Sequence, residues 1–470
     1  MSTYTISNTK LNPNRVFILQ KSELEKRLDP AYYYELRNNK FEFTYPSKTI
    51  SRIVKSYSGG TPNKSNIAYW NGNICWASPK DMKGFYLSDT QDKITFEGVK
   101  NSSTKIAPIG SVLIVFRSGI LQHTLPVSVT KVESSINQDL KVLVPSEDLL
   151  PEYLAVFLKT FEKRILPRIV KHSTTVQSIN QEDFNRLYIP IPKIDIQKII
   201  IGIYKTYLKQ KKQNEAETEK LLASIDDYLL GELGIKLPEL PENNLENRMF
   251  QATINSLSSN RYDPYFHQFK FVDNIKAIEN GKYPVKELRI IIFSDLIKGT
   301  LPKSEEKEGN NSVIQINCIN NDGTIYLEKL LTAKDIFSKQ QKLKEGDVLV
   351  VITGATIGKI AQWIYKGEFY LGGDIVKFQT NTLVDNSFVF HFLRSSPMQL
   401  EIKRNVTGAT NGHLSPDDIK RFPIPVPPLD KQKEIANHIS EIRKQAQKLK
   451  DQTAEALKNA SNEIERILLN

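Results

Sequence analysis

The sequence predicts an α+β protein made of two copies of one unit, each a β-rich α/β domain followed by a long helix. Its length, an ordered internal repeat and two long helical patterns support this fold class. At 470 residues the chain is longer than one core usually absorbs, so two or more domains are expected. Hydrophobic residues make up 40% and charged residues 25%, as in globular proteins.

Segments of the first half recur in the second half in the same order. Arg-Leu-Asp-Pro at 27–30 recurs as Arg-Tyr-Asp-Pro at 261–264, and Gly-Ser-Val-Leu at 110–113 recurs as Gly-Asp-Val-Leu at 346–349. Ile-Pro-Ile-Pro at 189–192 recurs as Ile-Pro-Val-Pro at 424–427, an offset of 235 at which Gln197 also matches Gln432. Two pseudo-symmetric units therefore fill the chain.

The elements of each unit change character at these proline clusters. Upstream, short β-branched runs at 111–116, 140–144, 347–352 and 374–378 predict strands. Downstream, apolar residues recur every three or four positions at 435–467 and, with a polar interruption at 211–218, at 200–228. This spacing predicts two long helices with an apolar seam.

Each predicted helix, about 35 residues or ~50 Å long, needs an apolar partner. We expect the two helices to pair antiparallel as a coiled coil, the alternative being that each packs on its own domain. The predicted domains are 1–192, a central helix at 193–236, 237–428 and a C-terminal helix at 429–470. Gly231, Gly234 and residues 238–244 are expected to end the first helix and link it to the second unit.

Charge and cysteine content narrow the function. Lys and Arg number 64 against 53 Asp and Glu, a formal charge of +11 with a pI near 9.2, which favours a polyanionic partner such as nucleic acid. No apolar run approaches the ~18 residues that span a bilayer, and no secretory signal is visible, so a cytoplasmic location without membrane partners is expected. Cys75 and Cys318 lie in strand-like runs and are interpreted as reduced, buried thiols.

Three motifs resemble catalytic signatures but are incomplete. Asp-Pro-Ala-Tyr at 29–32 and Asp-Pro-Tyr-Phe at 263–266 lack the second proline of an amino-methyltransferase motif and are interpreted as turns. Residues 354–359 are one residue short of a phosphate loop. Residues 416–420 resemble a nuclease signature but are interpreted as the start of a helix with Ser415 as its N-cap. Asn180 is the corresponding N-cap in the first unit. The histidines show no metal-ligand spacing. A non-catalytic chain without cofactor or metal is predicted; a self-sufficient DNA methyltransferase or nuclease and a protein-only repeat scaffold remain alternatives.

Several segments resemble the specificity subunits of type I restriction-modification systems. They are Ser-Gly-Gly-Thr-Pro at 58–62 with Tyr-Trp-Asn-Gly at 69–72, Asp-Val-Leu-Val at 347–350 with Thr-Gly-Ala-Thr-Ile-Gly-Lys at 353–359, and Pro-Val-Pro-Pro-Leu at 425–429. The resemblance covers essentially the whole chain and is weakest at 193–197.

The resemblance implies two target-recognition domains separated by two long antiparallel helices. Each domain would read one half of a bipartite, asymmetric double-stranded DNA target, and the helices would dock two modification (methyltransferase) subunits. Restriction (translocase/endonuclease) subunits would join through the complex. S-adenosylmethionine, ATP and magnesium would be bound by those partner chains. The bases that are read are not implied.

Candidate DNA-contact residues are polar and basic side chains expected on loops. Those of the first domain are Thr61, Lys64, Lys80, Lys83, Arg117, Ser118, Lys171, His172, Ser173 and Thr174. Those of the second domain are Lys303, Ser304, Lys307, Thr353, Thr356, Lys359, Lys403, Arg404, Thr407, Thr410, Asn411 and His413. For each residue taken alone, an ordinary solvated surface position is an equally good interpretation.

Overall fold

The computed structural model describes residues 17–24, 28–38, 41–171, 176–239, 242, 244–249, 251, 261–303, 309–334, 337–408 and 411–470. The chain divides into two compact units, unit 1 with residues 1–214 and 451–470 and unit 2 with residues 215–450. Each unit therefore contains half of each long helix. Both cysteines are buried and neither forms a disulfide, as predicted.

The described residues of unit 1 form short helices, one five-stranded sheet, one four-stranded sheet and two two-stranded sheets. Its helices are α1 Pro30–Asn38, α2 Ile50–Ile53, α3 Phe96–Lys100, α4 Pro151–Thr160, α5 Glu162–Ile169, α6 Gln181–Asn185 and the first part of α7 Ile194–Leu233. Its strands are β1 Ser47–Thr49, β2 Val54–Ser58, β3 Trp70–Ala77, β4 Tyr86–Leu87, β5 Asp92–Ile94, β6 Lys105–Ala107, β7 Val112–Val115, β8 Val127–Thr130, β9 Ser134–Ile136, β10 Leu140–Pro145, β11 Val170–Lys171, β12 Ser178–Ile179 and β13 Tyr188–Pro190.

Among its described residues, unit 2 repeats this plan with fewer strands. Its helices are α8 Leu245–Arg248, α9 Phe269–Glu279, α10 Leu288–Ile291, α11 Asn386–Leu393, α12 Ser396–Asn405, α13 Pro416–Lys420 and the first part of α14 Leu429–Leu468. Its strands are β14 Val285–Glu287, β15 Ile297–Lys298, β16 Asn311–Ile314, β17 Leu331–Ala333, β18 Val348–Val351, β19 Ile360–Gln362, β20 Phe369–Leu371, β21 Ile375–Phe378 and β22 Pro423–Pro425.

The main sheet of unit 2 repeats the order of the first four strands of the main sheet of unit 1. In unit 1 the order is β2-β10-β7-β8-β4, and in unit 2 it is β15-β21-β18-β19. The central strands β7 and β18 are buried along their whole length, which explains their β-branched, uniformly apolar sequences. The repeat seen in sequence is thus a repeat of topology.

Helices α7 and α14 pair antiparallel within each unit, as predicted. In unit 2, Lys431 Nζ lies 2.5 Å from Glu232 Oε2, and the rings of Tyr228 and His438 are 4.1 Å apart. In unit 1, Asn214 Nδ2 donates to Thr453 Oγ1 at 3.0 Å. The polar stretch that interrupts the apolar spacing of α7 therefore still contacts α14, through a hydrogen bond instead of apolar packing.

The first long helix ends at Leu233, directly before Gly234, one of the two glycines expected to end it. Gly231 lies inside α7, and Gly234, with φ of +65°, follows the last helical residue. Gly234 N–H donates to Gly231 O at 3.1 Å, and Ile235 N–H donates to Leu230 O at 2.9 Å, the Schellman pattern. Gly234 supplies the left-handed conformation that this ending requires.

A buried glutamine fixes the start of each long helix to its own unit. Gln197 accepts from Leu150 N–H at 2.8 Å and donates to the carbonyls of Asp148 and Pro192. At the matching position, Gln432 makes the same three kinds of bond within unit 2, and both side chains are fully buried. Residues 193–197 depart from the sequence pattern of the family, but the hydrogen bonds that join the start of α7 to unit 1 match those that join the start of α14 to unit 2.

Candidate nucleic-acid interface

Three neighbouring backbone segments bring basic and polar side chains together at one edge of unit 1. Arg117, just past β7, pairs antiparallel with Ser178 of β12, and Ser178 pairs with Lys171 of β11. Directly paired residues of neighbouring strands point to the same face of a sheet. Arg117, Ser178 and Lys171 therefore form a row, here called row 1, in which Arg117 and Lys171 are exposed.

Unit 2 builds the same row from different side chains. Thr353, just past β18, pairs with His413, and His413 pairs with Thr407. The supporting backbone bonds match those of unit 1. Leu414 N–H donates to Ile352 O and Ile179 N–H donates to Phe116 O, both at 2.8 Å. Thr353, His413 and Thr407 are called row 2.

The size and chemistry of the rows suit a groove of duplex DNA. Two strand-to-strand spacings place the outer members about 10 Å apart, against a major groove about 12 Å wide. Arg and Lys bind phosphates and guanine edges, while Ser, Thr and His donate or accept at base edges. Row 1 can therefore combine backbone binding with base reading, and row 2 offers Thr and His groups suited to base edges.

The hairpin tips next to the rows carry further predicted residues. In unit 2, Asn411 lies at the tip of the hairpin that pairs Thr407 with His413. Gly408, in the same tip, adopts a φ of +94°. Ser118 follows row 1 and accepts from Ile120 N–H at 3.4 Å. The remaining predicted residues of these and neighbouring loops lie outside the described residues, namely His172, Ser173, Thr174, Ser304, Lys307 and Thr410.

Sequence reasoning missed two members of this edge. Gln138 Oε1 accepts from Thr61 Oγ1 at 2.5 Å, and the neighbouring Asp139 carbonyl accepts from Arg117 N–H at 3.2 Å, so Thr61 adjoins row 1. Ser178 was also missed, although subtracting the offset of 235 from the predicted His413 leads to it. The repeat offset was the signal that could have found Ser178.

The other candidates are spread over both units. Lys80 pairs with Asp92 at 2.7 Å. Arg404 lies in α12 with its guanidinium 4.0 Å from the centre of the Phe266 ring, so it supports packing. The expectation that every candidate lies on a loop is wrong for Lys403 and Arg404, which belong to the last turn of α12, and for Lys171, which belongs to strand β11. It is also wrong for Lys80 and Thr356, each of which lies in a short 3-10 helix. The exposed candidates elsewhere are Lys64, Lys83, Lys303 and Lys403.

Thr356 and Lys359 lie at a basic cavity of about 470 Å³ in unit 2. Lys359 Nζ donates to Ile319 O at 3.0 Å, and Arg394 donates to Asn321 O at 3.2 Å. Burial, with a contribution from nearby Arg443, lowers the pKa of Arg394 to about 9. Among the described lining residues two are cationic and none is a carboxylate, which suits an anion the size of a phosphate.

The corresponding place in unit 1 holds a carboxylate of its own. Glu162 accepts from Thr124 Oγ1 at 2.9 Å and Leu125 N–H at 3.1 Å, and lies 3.2 Å from Lys159, the counterpart of Arg394. The two units therefore differ in their capacity for an additional anion. The described residues contain no group of three or more His, Cys, Asp or Glu placed to hold a metal ion.

The family model for the type I restriction modification DNA specificity domain matches residues 42–223 and 281–459. The chain belongs to this family. Each match covers one β-rich unit and most of the helix that follows it. Within the described residues, no helix combines the length and hydropathy needed to cross a bilayer.

Three relatives are specificity subunits of type I restriction enzymes. The chain is 38% identical over 184 residues to the EcoR124I/EcoR124II subunit of Escherichia coli, which covers 39% of this chain and 46% of the relative. It is 27% identical over 175 residues to the MjaIX subunit of Methanocaldococcus jannaschii, covering 36% and 40%. The putative MjaX subunit of that organism is 25% identical over 340 residues, covering 70% of each. The chain thus spans less than half the length of the first two relatives.

Two solved structures of S subunits align with most of this chain. The S subunit of a type I system from M. genitalium aligns with 92% of this chain and 98% of its own, with 11% identity and a TM-score of 0.44. The HsdS subunit of Thermoanaerobacter tengcongensis aligns with 92% and 97%, with 13% identity and a TM-score of 0.33.

Proposed function

We propose that the chain is the DNA-specificity subunit of a type I restriction-modification complex and reads a bipartite, asymmetric target. Unit 1 would read one half-site through row 1, and unit 2 would read the other through row 2. The observation that carries this proposal is the repetition of one backbone arrangement with different side chains, Arg-Ser-Lys in row 1 and Thr-His-Thr in row 2.

Two further features support the proposal. The net charge of +11 favours binding to the phosphate backbone. The named relatives are specificity subunits, and the catalytic steps of methylation and cleavage would belong to partner chains. The long helices would dock two modification subunits, restriction subunits would join through the complex, and the assembly would act in the cytoplasm without a cofactor bound to this chain.

Titration of the assembled complex with labelled duplexes tests this function. A bipartite target and a scrambled duplex are compared at two salt concentrations. Specific binding should be at least ~10³-fold tighter, and its affinity should fall steeply with salt because phosphate contacts release counterions. Equal affinity for both duplexes would favour a protein-only scaffold. Methylation by the isolated chain, lost on Asp263→Ala, would favour a self-sufficient enzyme.

A further inference from the structure

The backbone shows which part of unit 1 corresponds to the basic cavity of unit 2. Val115, the last residue of β7, donates its N–H to Pro126 O at 3.1 Å. Val351, the last residue of β18, donates its N–H to Lys359 O at 3.0 Å. Pro126 of unit 1 therefore occupies the place that Lys359 occupies in unit 2.

Unit 1 supplies an anion of its own at this place. Glu162 Oε2 accepts at 3.1 Å from the N–H of Leu125, the residue before Pro126, and lies 3.2 Å from Lys159 Nζ. Lys159 is the counterpart of Arg394. The negative charge beside this basic side chain thus belongs to the chain itself in unit 1.

Unit 2 has a second cation at this place and no such carboxylate. Lys359 and Arg394 line the cavity, and none of the described lining residues is acidic. Lys359 Nζ donates to Ile319 O, and Arg394 donates to Asn321 O. Both cations are therefore held in position by neutral carbonyls. An ammonium has three N–H groups and a guanidinium has five, so donors remain for a further acceptor.

The charged groups around Arg394 do not replace the missing anion. Asp322 Oδ2 lies 3.1 Å from Lys450 Nζ, and Asp226 Oδ2 accepts from a backbone N–H at 2.9 Å. Arg443, which donates to Asp322 O at 3.0 Å, adds a positive charge. Burial, followed by the charge of Arg443, lowers the pKa of Arg394 to about 9. An anion in the cavity would oppose this shift, because it stabilises the charged guanidinium.

Two buried donor atoms of the lining residues indicate what kind of anion fits. Thr356 Oγ1 and Arg394 Nη1 have no hydrogen-bond partner among the described residues. Buried polar atoms are ordinarily hydrogen-bonded, and an anion with several oxygens supplies acceptors for a hydroxyl, a guanidinium and an ammonium together. The cavity volume of about 470 Å³ also has room for the atoms to which a phosphate group is attached.

We propose that the basic cavity of unit 2 binds a phosphate group through Lys359, Arg394 and Thr356, at the place where unit 1 carries Glu162. Thr356 belongs to the short 3-10 helix that directly follows Thr353 of row 2. A phosphate of the DNA backbone and free phosphate offer the same chemistry. The inference rests on the cavity itself, and only the DNA backbone as a source rests on the proposed function.

Two substitutions of Ala355 that differ only in charge test the inference. Ala355 is an exposed residue of the cavity lining and makes none of the proposed contacts. Inorganic phosphate is titrated into the full chain at constant ionic strength and followed by phosphorus NMR. The wild-type chain should bind phosphate saturably, and Ala355→Gln should bind it within about twofold of wild type. Ala355→Glu should bind at least ~fivefold more weakly, because its carboxylate repels the anion.

Addition of the target duplex to the phosphate-loaded complex identifies the source of the phosphate group. Release of phosphate would assign the cavity to a phosphate of the DNA backbone, whereas phosphate that stays bound would assign it to the free anion. Either result supports a phosphate site, and the two differ only in the molecule that fills it.

The results separate failure of the cavity from failure of the function. No saturable phosphate binding to the wild-type chain, or equal affinity of Ala355→Glu and Ala355→Gln, would overturn the inference and leave the proposed function in place. A complex that binds phosphate as expected but shows no sequence preference would overturn the proposed function alone. Thermal unfolding within a few degrees of wild type shows that the variants fold. Should Ala355→Glu unfold, Lys359→Gln compared with Lys366→Gln, at an exposed lysine outside the cavity, gives the same decision.

Discussion

Replacing Gln432 with leucine should destabilise unit 2 strongly, because this buried side chain links α14 to the unit that precedes it. Its Oε1 accepts from Asp385 N–H at 2.8 Å, and its Nε2 donates to Pro427 O at 2.7 Å and Leu383 O at 3.1 Å. The variant leaves three backbone groups in an apolar junction. Each buried unsatisfied group costs about 1–3 kcal/mol, so after partial relaxation a total loss of about 3–5 kcal/mol is expected.

Urea unfolding with a signal specific to each unit measures this loss. Trp363 lies in the core of unit 2, while Trp70 and Trp76 belong to unit 1, so fluorotryptophan labelling and fluorine NMR report the units separately. With a slope of about 3 kcal/mol per molar, the midpoint of the Trp363 transition should fall by roughly 1–1.7 M urea. Gln197→Leu should instead lower the transition reported by Trp76.

An exposed glutamine of the same helix provides the control. Gln445→Leu makes the same chemical change on the solvent side of α14 and should shift the transition by less than about 0.5 kcal/mol. A shift of similar size for Gln432→Leu and Gln445→Leu would refute the role given to the buried glutamine.

Three further predictions concern binding, spacing and pH. Lys359→Ala should weaken DNA binding and reduce the magnitude of the salt slope by about 1 if its ammonium meets a phosphate; unchanged affinity and slope in a salt titration would remove it from the interface. Four residues inserted beside both Asn214 and Thr453 add about 6 Å of helix and should change the preferred spacer by about two base pairs in a binding series, whereas an unaltered spacer would contradict a helix-set spacing. Burial, aided by nearby arginines, lowers the pKa of His391 to about 3. Protonation of His391 therefore favours the unfolded state. Its contribution to the free energy of unfolding is fully present above pH ~6.5 and falls as the pH drops toward 3. Between pH 6.5 and 5 about 2 kcal/mol should be lost in urea unfolding, and His391→Gln should remove that dependence; an identical pH profile for the variant would contradict the assignment.

The sequence predicted the repeat, the strands around β7 and β18 and the pairing of the long helices. These features follow from local patterns, because apolar spacing decides which face of a helix is buried and β-branched runs favour strands. The N-caps were also predictable. Asn180 accepts from Glu182 N–H at 3.0 Å, and Ser415 accepts from Asp417 N–H at 3.2 Å.

The composition of the rows could be predicted only in part. Arg117 and Lys171 lie 54 positions apart in sequence, and Ser178 joins them through strand pairing that no local pattern reports. The sequence pattern places Arg404 on a loop, but helix α12 continues through this residue and packing sets its guanidinium against the Phe266 ring. Long-range pairing and the exact ends of helices are decided by packing.

Methylation mapping of DNA from cells that carry the complete system tests the central claim most directly. The wild-type chain should give one bipartite motif, and a chain in which Arg117, Ser178 and Lys171 are replaced by Thr, His and Thr should change one half of that motif and leave the other half intact. Changes in both halves, or an unchanged motif with full activity, would contradict the assignment of one half-site to each row.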